Sequence, residues 1–132
     1  MSDAARSTVI KVTNNSKYNL RLITSSQKLP HGEWITYPPD RITKNSTSNG
    51  PGHASWETDS DGFMTGTEGE CSYSFTDDDE IYDINIKWDN PFSGGNTYSI
   101  HPDNDLVRCT YTADKGNNAT VTFTIENGSN HN

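Results

Sequence analysis

Apolar residues recur at every second position in several short runs of this chain, the spacing of strands with one buried face. Thr8-Val9-Ile10-Lys11-Val12-Thr13 opens the series. After a turn at Asn14-Asn15-Ser16, Tyr18, Leu20 and Leu22 alternate with other residues, which predicts a first hairpin. Trp34-Ile35-Thr36-Tyr37 is a short run closed by Pro38-Pro39, because proline donates nothing to a sheet ladder. The polar stretch 40–52, containing Asn49-Gly50-Pro51-Gly52, reads as a long surface loop, and His53-Ala54-Ser55-Trp56-Glu57 as another strand.

The centre of the chain is the most regular part. Cys71, Tyr73 and Phe75 share one face of a strand; Tyr82, Ile84, Ile86 and Trp88 share one face of the next. Asp77-Asp78-Asp79-Glu80 between them reads as a solvated turn. Two glycine-punctuated loops frame this candidate hairpin, Gly62-Phe63-Met64-Thr65-Gly66-Thr67-Glu68-Gly69 before it and Asp89-Asn90-Pro91-Phe92-Ser93-Gly94-Gly95-Asn96 after it. Further runs bear Tyr98 and Ile100, then Val107, Cys109 and Tyr111, then Val121, Phe123 and Ile125. The pattern predicts an all-β single antiparallel sandwich of two sheets and about eight or nine strands, filling 1–132, with frayed tails at 1–7 and 127–132. No helical apolar period and no internal repeat interrupts it.

Composition agrees. Only 30% of the 132 residues are hydrophobic, and strict alternation is the economical way to bury so few. A formal charge of −8 argues against nucleic acid, whose phosphates need Lys and Arg, and against adsorption to anionic lipid. No apolar run approaches the ~20 residues of a membrane-spanning helix, and residues 1–6 lack the hydrophobic segment of a secretory signal. Synthesis in the cytosol without a signal peptide is expected.

Catalysis finds no positive support. Glu57-x-Asp59-x-Asp61-Gly62, followed by Glu68, nearly matches a calcium loop. However, Glu stands where the tight turn wants Asp, and no helix flanks it; a turn between strands is the better account. His31, His53, His101 and His131 fall in expected loops or the tail without metal-ligand spacing. No metal, cofactor or catalytic residue is expected. Cys71 and Cys109 lie on expected core faces, either bridged, which would contribute about 4 kcal/mol by loop entropy, or as two buried thiols. Trp88 continues a buried face and is expected to anchor the loop after it. Phe92 has no strand to hide it, and Trp34 and Tyr37 sit between a loop and a double proline. Together with Asp89 and Tyr98 these are candidates for recognising a lipid headgroup, a sugar or a receptor.

The pairing of Gly62-Phe63-Met64-Thr65-Gly66-Thr67-Glu68-Gly69 with Asp89-Asn90-Pro91-Phe92 resembles the aegerolysin family. Lys28-Leu29, Gly32, Trp34 and Asn96-Thr97-Tyr98 extend the resemblance over residues 9–125. It is most like the bacterial branch containing the small component of binary insecticidal crystal toxins. The resemblance implies a β-sandwich that binds a target-membrane lipid or gut receptor, without enzymatic activity, and acts with a larger second component, perforin-like or aerolysin-related. Fungal members recognise sphingolipid-containing membranes. They carry cysteine where this chain has Asn90, and the stretch 38–56 has no clear counterpart, so lipid specificity does not carry over. A lectin-like sandwich acting without a partner is the competing reading, and self-association is left open. The chain alone is expected to bind membranes without permeabilising them, for want of an amphipathic hairpin whose strands reach the ~9–11 residues of a barrel span.

Overall fold

The computed structural model describes residues 5–128. It contains β1 (Ser7–Asn14), β2 (Leu20–His31), β3 (Glu33–Thr36), β4 (Arg41–Ile42), β5 (Gly52–Asp59), β6 (Thr67–Asp77), β7 (Glu80–Asn90), β8 (Thr97–Pro102), β9 (Val107–Ala113) and β10 (Asn118–Asn127). These form two five-stranded sheets, β3-β5-β1-β10-β9 and β4-β2-β6-β7-β8. All pairings are antiparallel except β1 with β10. The two inward faces bury one core, in which Trp56, Trp88, Tyr73 and Phe123 are the largest side chains.

The hairpin expected of the first two strands does not form. β1 pairs with β5 and β10, and β2 lies in the opposite sheet. The cause is Asn14, which is a buried corner rather than a turn residue. Its Nδ2 donates to the carbonyls of Tyr18 (2.9 Å) and Thr43 (3.0 Å), and its Oδ1 accepts from the backbone N–H and hydroxyl of Ser16. These bonds give partners to the Tyr18 and Thr43 carbonyls and the Ser16 N–H, where the chain leaves one sheet for the other.

The stretch 40–52 is likewise not a plain surface loop. Arg41 and Ile42 pair with β2, Ile42 is buried, and Ser46 and Gly50 exchange backbone hydrogen bonds across a small turn. The short polar run hid one inward side chain. Pairing also extends into both tails expected to fray. Ser7 is opposite Asn118 and Asp59, Asn127 is opposite Val107, and the Gly128 N–H donates to Leu106. Three histidines expected in loops sit in strands, His31 in β2, His53 in β5 and His101 in β8; His131 lies outside the described residues.

Cys71 and Cys109 are free thiols on opposite sheets. Cys71 is wholly buried beside Ile86. Cys109, expected on a core face, is only half-buried, because β9 is an edge strand and its Tyr111 is also exposed. Burial raises both thiols, Cys109 to about 12.

Candidate functional site

The two glycine loops meet at one end of the sandwich because the hairpin between them is in unbroken register, from Thr67 opposite Asn90 to Asp77 opposite Glu80. The acidic turn closes it with Asp78 and Asp79 at φ of 51° and 69°, the left-handed pair that matches strand twist. The glycines then have a mechanical role. A Cβ on Gly66 would lie 2.5 Å from the Asn90 carbonyl oxygen, 2.7 Å from Pro91 Cα and 2.8 Å from the Phe92 nitrogen. One on Gly69 would lie 2.5 Å from the Trp88 ring. The glycines of one motif are the sockets for the residues of the other.

Buried polar groups lock this junction. The Trp88 indole N–H donates to Thr58 Oγ1 at 2.9 Å, and the Thr67 and Thr58 hydroxyls are 2.7 Å apart. Trp88 meets Trp56 and Trp34 edge-on at 5.9 and 6.0 Å. It is buried at the base of the second loop. Asn90 Nδ2 donates to the carbonyls of Ser7 (3.0 Å) and Asn117 (2.8 Å), so the loop is fastened to the start of β1 and to the β9–β10 turn. A cysteine at this position could not make both bonds.

What the junction presents to solvent is apolar. Phe63 is 91% exposed and Met64 56% exposed. Met64 holds a φ of 58°, after Gly62 at 108°, and the Thr65 hydroxyl closes the turn on the Gly62 carbonyl at 2.9 Å. Phe92 is 37% exposed and forms a ridge between two grooves. One groove, of about 410 Å³, runs between the loops and is lined by His31, Met64, Gly66, Glu68, Asp89 and Phe92 among others. The other, of about 440 Å³, is lined by Arg6, Phe92, Tyr98, Tyr111, Asp114 and Lys115 among others. The Arg6 guanidinium sits 4.9 Å over the Phe92 ring, and its Nη2 donates to the Phe92 carbonyl at 2.7 Å.

Of the residues expected from sequence, Asp89, Phe92 and Tyr98 gather here. Asp89 faces outward opposite Glu68. Burial and the Glu68 carboxylate raise its pKa, and His31 opposes the shift; His31 Nδ1 lies 3.1 Å from Glu68 Oε1. Tyr98 meets Tyr111 edge-on at 5.8 Å. Burial raises its phenol, and the Asn96 side chain opposes this. Trp34 on the outer strand β3 and Tyr37 just past its end stack on each other at 5.4 Å. Trp34 is half-buried against Trp88, Tyr37 is exposed, and neither lines the two grooves. Phe63, Met64, Arg6, Tyr111 and Lys115 were not anticipated. Phe63-Met64 had a readable signal, two apolar residues between Gly62 and Gly66 with no strand to bury them.

Among the described residues, no three His, Cys, Asp or Glu side chains gather as a metal-ion site. The described residues likewise contain no helix long and apolar enough to cross a membrane. The sandwich superposes on the crystal structure of the lipid-binding protein Nakanori with a TM-score of 0.71 at 14% identity, covering 92% of this chain and 71% of that one. It superposes on the crystal structure of RahU, solved with a TRIS molecule, with a TM-score of 0.64 at 20% identity, covering 98% and 99% of the two chains. At these identities the likeness speaks to the fold. An uncharacterized protein of Dictyostelium discoideum is 30% identical over 125 residues, which are 94% of this chain and 10% of that much longer protein. The sequence model of the Aegerolysin family matches residues 5–128, and the protein belongs to that family.

Proposed function

We propose that this protein is the membrane-binding component of a two-component pore-forming toxin. In this reading it engages a lipid of the target cell through the joined loops and recruits a larger pore-forming partner, with insect gut cells as the target the resemblance suggests. It acts by binding, without chemistry. The observation that carries the reading is the exposed Phe63-Met64 pair on a braced turn beside Phe92. Immersing one such side chain contributes about 1.5–3 kcal/mol, and the turn is already ordered, so little entropy opposes it. Nakanori's description as a lipid-binding protein supports the same direction.

The neighbouring groove favours a zwitterionic headgroup. Arg6 and Lys115 offer positive charge to a phosphate, while Tyr98 and Tyr111 offer ring faces to a quaternary ammonium. The net charge of −8 opposes a purely anionic lipid. Sphingomyelin and phosphatidylcholine both carry the matching headgroup.

The test is co-sedimentation with sphingomyelin/cholesterol and phosphatidylcholine vesicles. Wild type is expected to bind, and Phe63→Ser to bind at least tenfold more weakly with an unchanged melting temperature. Equal binding by the two proteins would defeat the reading. Failure to bind any vesicle, with agglutination that a simple sugar blocks, would instead establish the stand-alone glycan-binding alternative.

A further inference from the structure

The opposite end of the sandwich carries a groove of about 490 Å³ whose lining includes Lys17, Arg21, Arg41 and Lys44. The whole chain has only 10 Lys and Arg against 18 Asp and Glu, so four of its cations share one depression. Arg21 and Arg41 are directly opposite one another on β2 and β4, a like-charge pairing that weakens a sheet. The side chains of Arg21, Arg41 and Lys44 hold no ion pair or hydrogen bond with another described residue. The Asp77 carboxylate of the acidic turn accepts from the Tyr18 hydroxyl at 2.9 Å and forms no ion pair with Arg21, Arg41 or Lys44. Asp83 stands beyond Ser74 in the same row and forms no ion pair with either arginine.

We infer that this groove docks an acidic segment of a partner protein. Three observations select a protein over a lipid or a small anion. Ser74 and Thr76 lie seven and nine residues along β6 from Thr67, which at about 3.3 Å per residue sets the groove roughly 23–30 Å from the loops proposed to touch the membrane. A surface so placed faces solution when the loops are seated, and lies several Debye lengths from the headgroups. Second, Ile81, 71% exposed, lines the same groove, giving an apolar anchor beside the charges, as protein interfaces have. Third, the excess of acid elsewhere on the chain repels a long polyanion, whereas a short carboxylate-rich segment fits within the cationic stretch. Insofar as the partner is the pore-forming component, this rests on the two-component reading, and the groove is where that component is recruited.

The probes are two fluorescein-labelled peptides, octaglutamate and a Glu-rich octamer carrying two leucines, followed by anisotropy at low and physiological salt. Competitors are inorganic phosphate, a heparin hexasaccharide and phosphatidylserine vesicles. The leucine-bearing peptide is expected to bind more tightly. The double variant Arg21→Ser/Arg41→Ser should weaken both peptides at least tenfold, and Ile81→Ser should erase the advantage of the leucines. Melting temperature of the double variant should hold or rise, since the arginine opposition is gone, and its sphingomyelin-vesicle binding should be unchanged. Peptide binding unaffected by the double variant, or no peptide binding, overturns the inference. So does displacement by submillimolar phosphate, or groove-dependent binding of heparin or phosphatidylserine that exceeds the peptides tenfold. Loss of vesicle binding in Phe63→Ser leaves these outcomes untouched, so the two proposals fail separately.

Discussion

Gly66→Ala is the sharpest probe of how the two loops depend on each other. The backbone of Gly66 is not in the left-handed region, so alanine is conformationally acceptable and the change isolates one steric effect. The added Cβ would meet three backbone atoms of residues 90–92 at 2.5–2.8 Å. Restoring ordinary contact near 3.5 Å requires the second loop to retreat by about 1 Å. Backbone cannot swing aside as a flexible side chain does, and overpacking of this kind costs about 1–3 kcal/mol. The retreat also stretches the Asn90 bonds to Ser7 and Asn117, each contributing about 0.5–1.5 kcal/mol. For a domain of this size each kcal/mol lowers the melting temperature by roughly 3–5 °C. Gly95→Ala is the control: it has the same chemistry, nothing within 4 Å of the new Cβ, and no positive φ. Calorimetry on both variants should show Gly66→Ala melting several degrees below Gly95→Ala, with weaker vesicle binding even well below its transition. Equal melting temperatures would refute the socket account and leave the motif's glycines unexplained by packing.

Further outcomes follow from single contacts. Trp88→Ala should cost about 3–5 kcal/mol in chemical denaturation, while Phe92→Ala should spare the fold and weaken vesicle binding, Phe92 being a ridge rather than core. Cys71 should resist thiol reagents in the native protein and react on unfolding, because it is wholly buried and burial raises its thiol; rapid native labelling of Cys71 would contradict its burial. Glu57 is raised to about 7 by its hydrogen bond from or to Asp59, by burial and by the Asp59 charge. A carboxyl raised on folding stabilises most below its unfolded pKa near 4.5 and loses that contribution as pH climbs through about 7. Melting temperature should therefore fall across that window, and Glu57→Gln should flatten the fall.

The strands were legible because alternation is local, and so was the central hairpin, whose register the acidic turn sets. Pairing between distant strands was not. Asn14 reads as a turn residue in sequence, yet as a buried hub it carries β2 to the other sheet; nothing in Asn14-Asn15-Ser16 separates those roles until Tyr18 and Thr43 arrive as acceptors. Ile42 stood alone among polar neighbours, too short a run to show a period. Near the loops, the exposure of Phe92 could be read because proline and glycine mark a loop around it. Arg6 could not, because its role exists only where the start of β1 passes 85–86 residues away in sequence from Pro91 and Phe92. The cationic groove was equally hidden, its arginines being 20 positions apart and joined only by pairing.

Whether the chain could perforate a membrane by itself turns on the β6–β7 hairpin. Each strand has 11 residues, which meets the ~9–11 needed for a barrel span, so the sequence-based expectation that no such hairpin exists was too short in its reckoning. The hairpin is amphipathic as well. Its apolar face, however, is Cys71, Tyr73, Phe75, Ile84, Ile86 and Trp88, all at most 3% exposed. Those side chains cannot face lipid while they face Ile10, Val12, Trp56 and Phe123. Insertion therefore requires opening the sandwich, which costs on the order of the whole folding free energy, about 5–15 kcal/mol for a domain. The joined loops, in contrast, expose Phe63, Met64 and Phe92 with the sandwich intact, so the proposed membrane contact needs no opening of the core. Binding without perforation is the expected behaviour of the isolated chain. Calcein-loaded vesicles that wild type saturates by co-sedimentation should retain their dye for hours. Release by the chain alone, at the concentrations that saturate binding, would mean that the core hairpin does leave the sandwich and that a second component is not needed to make the pore.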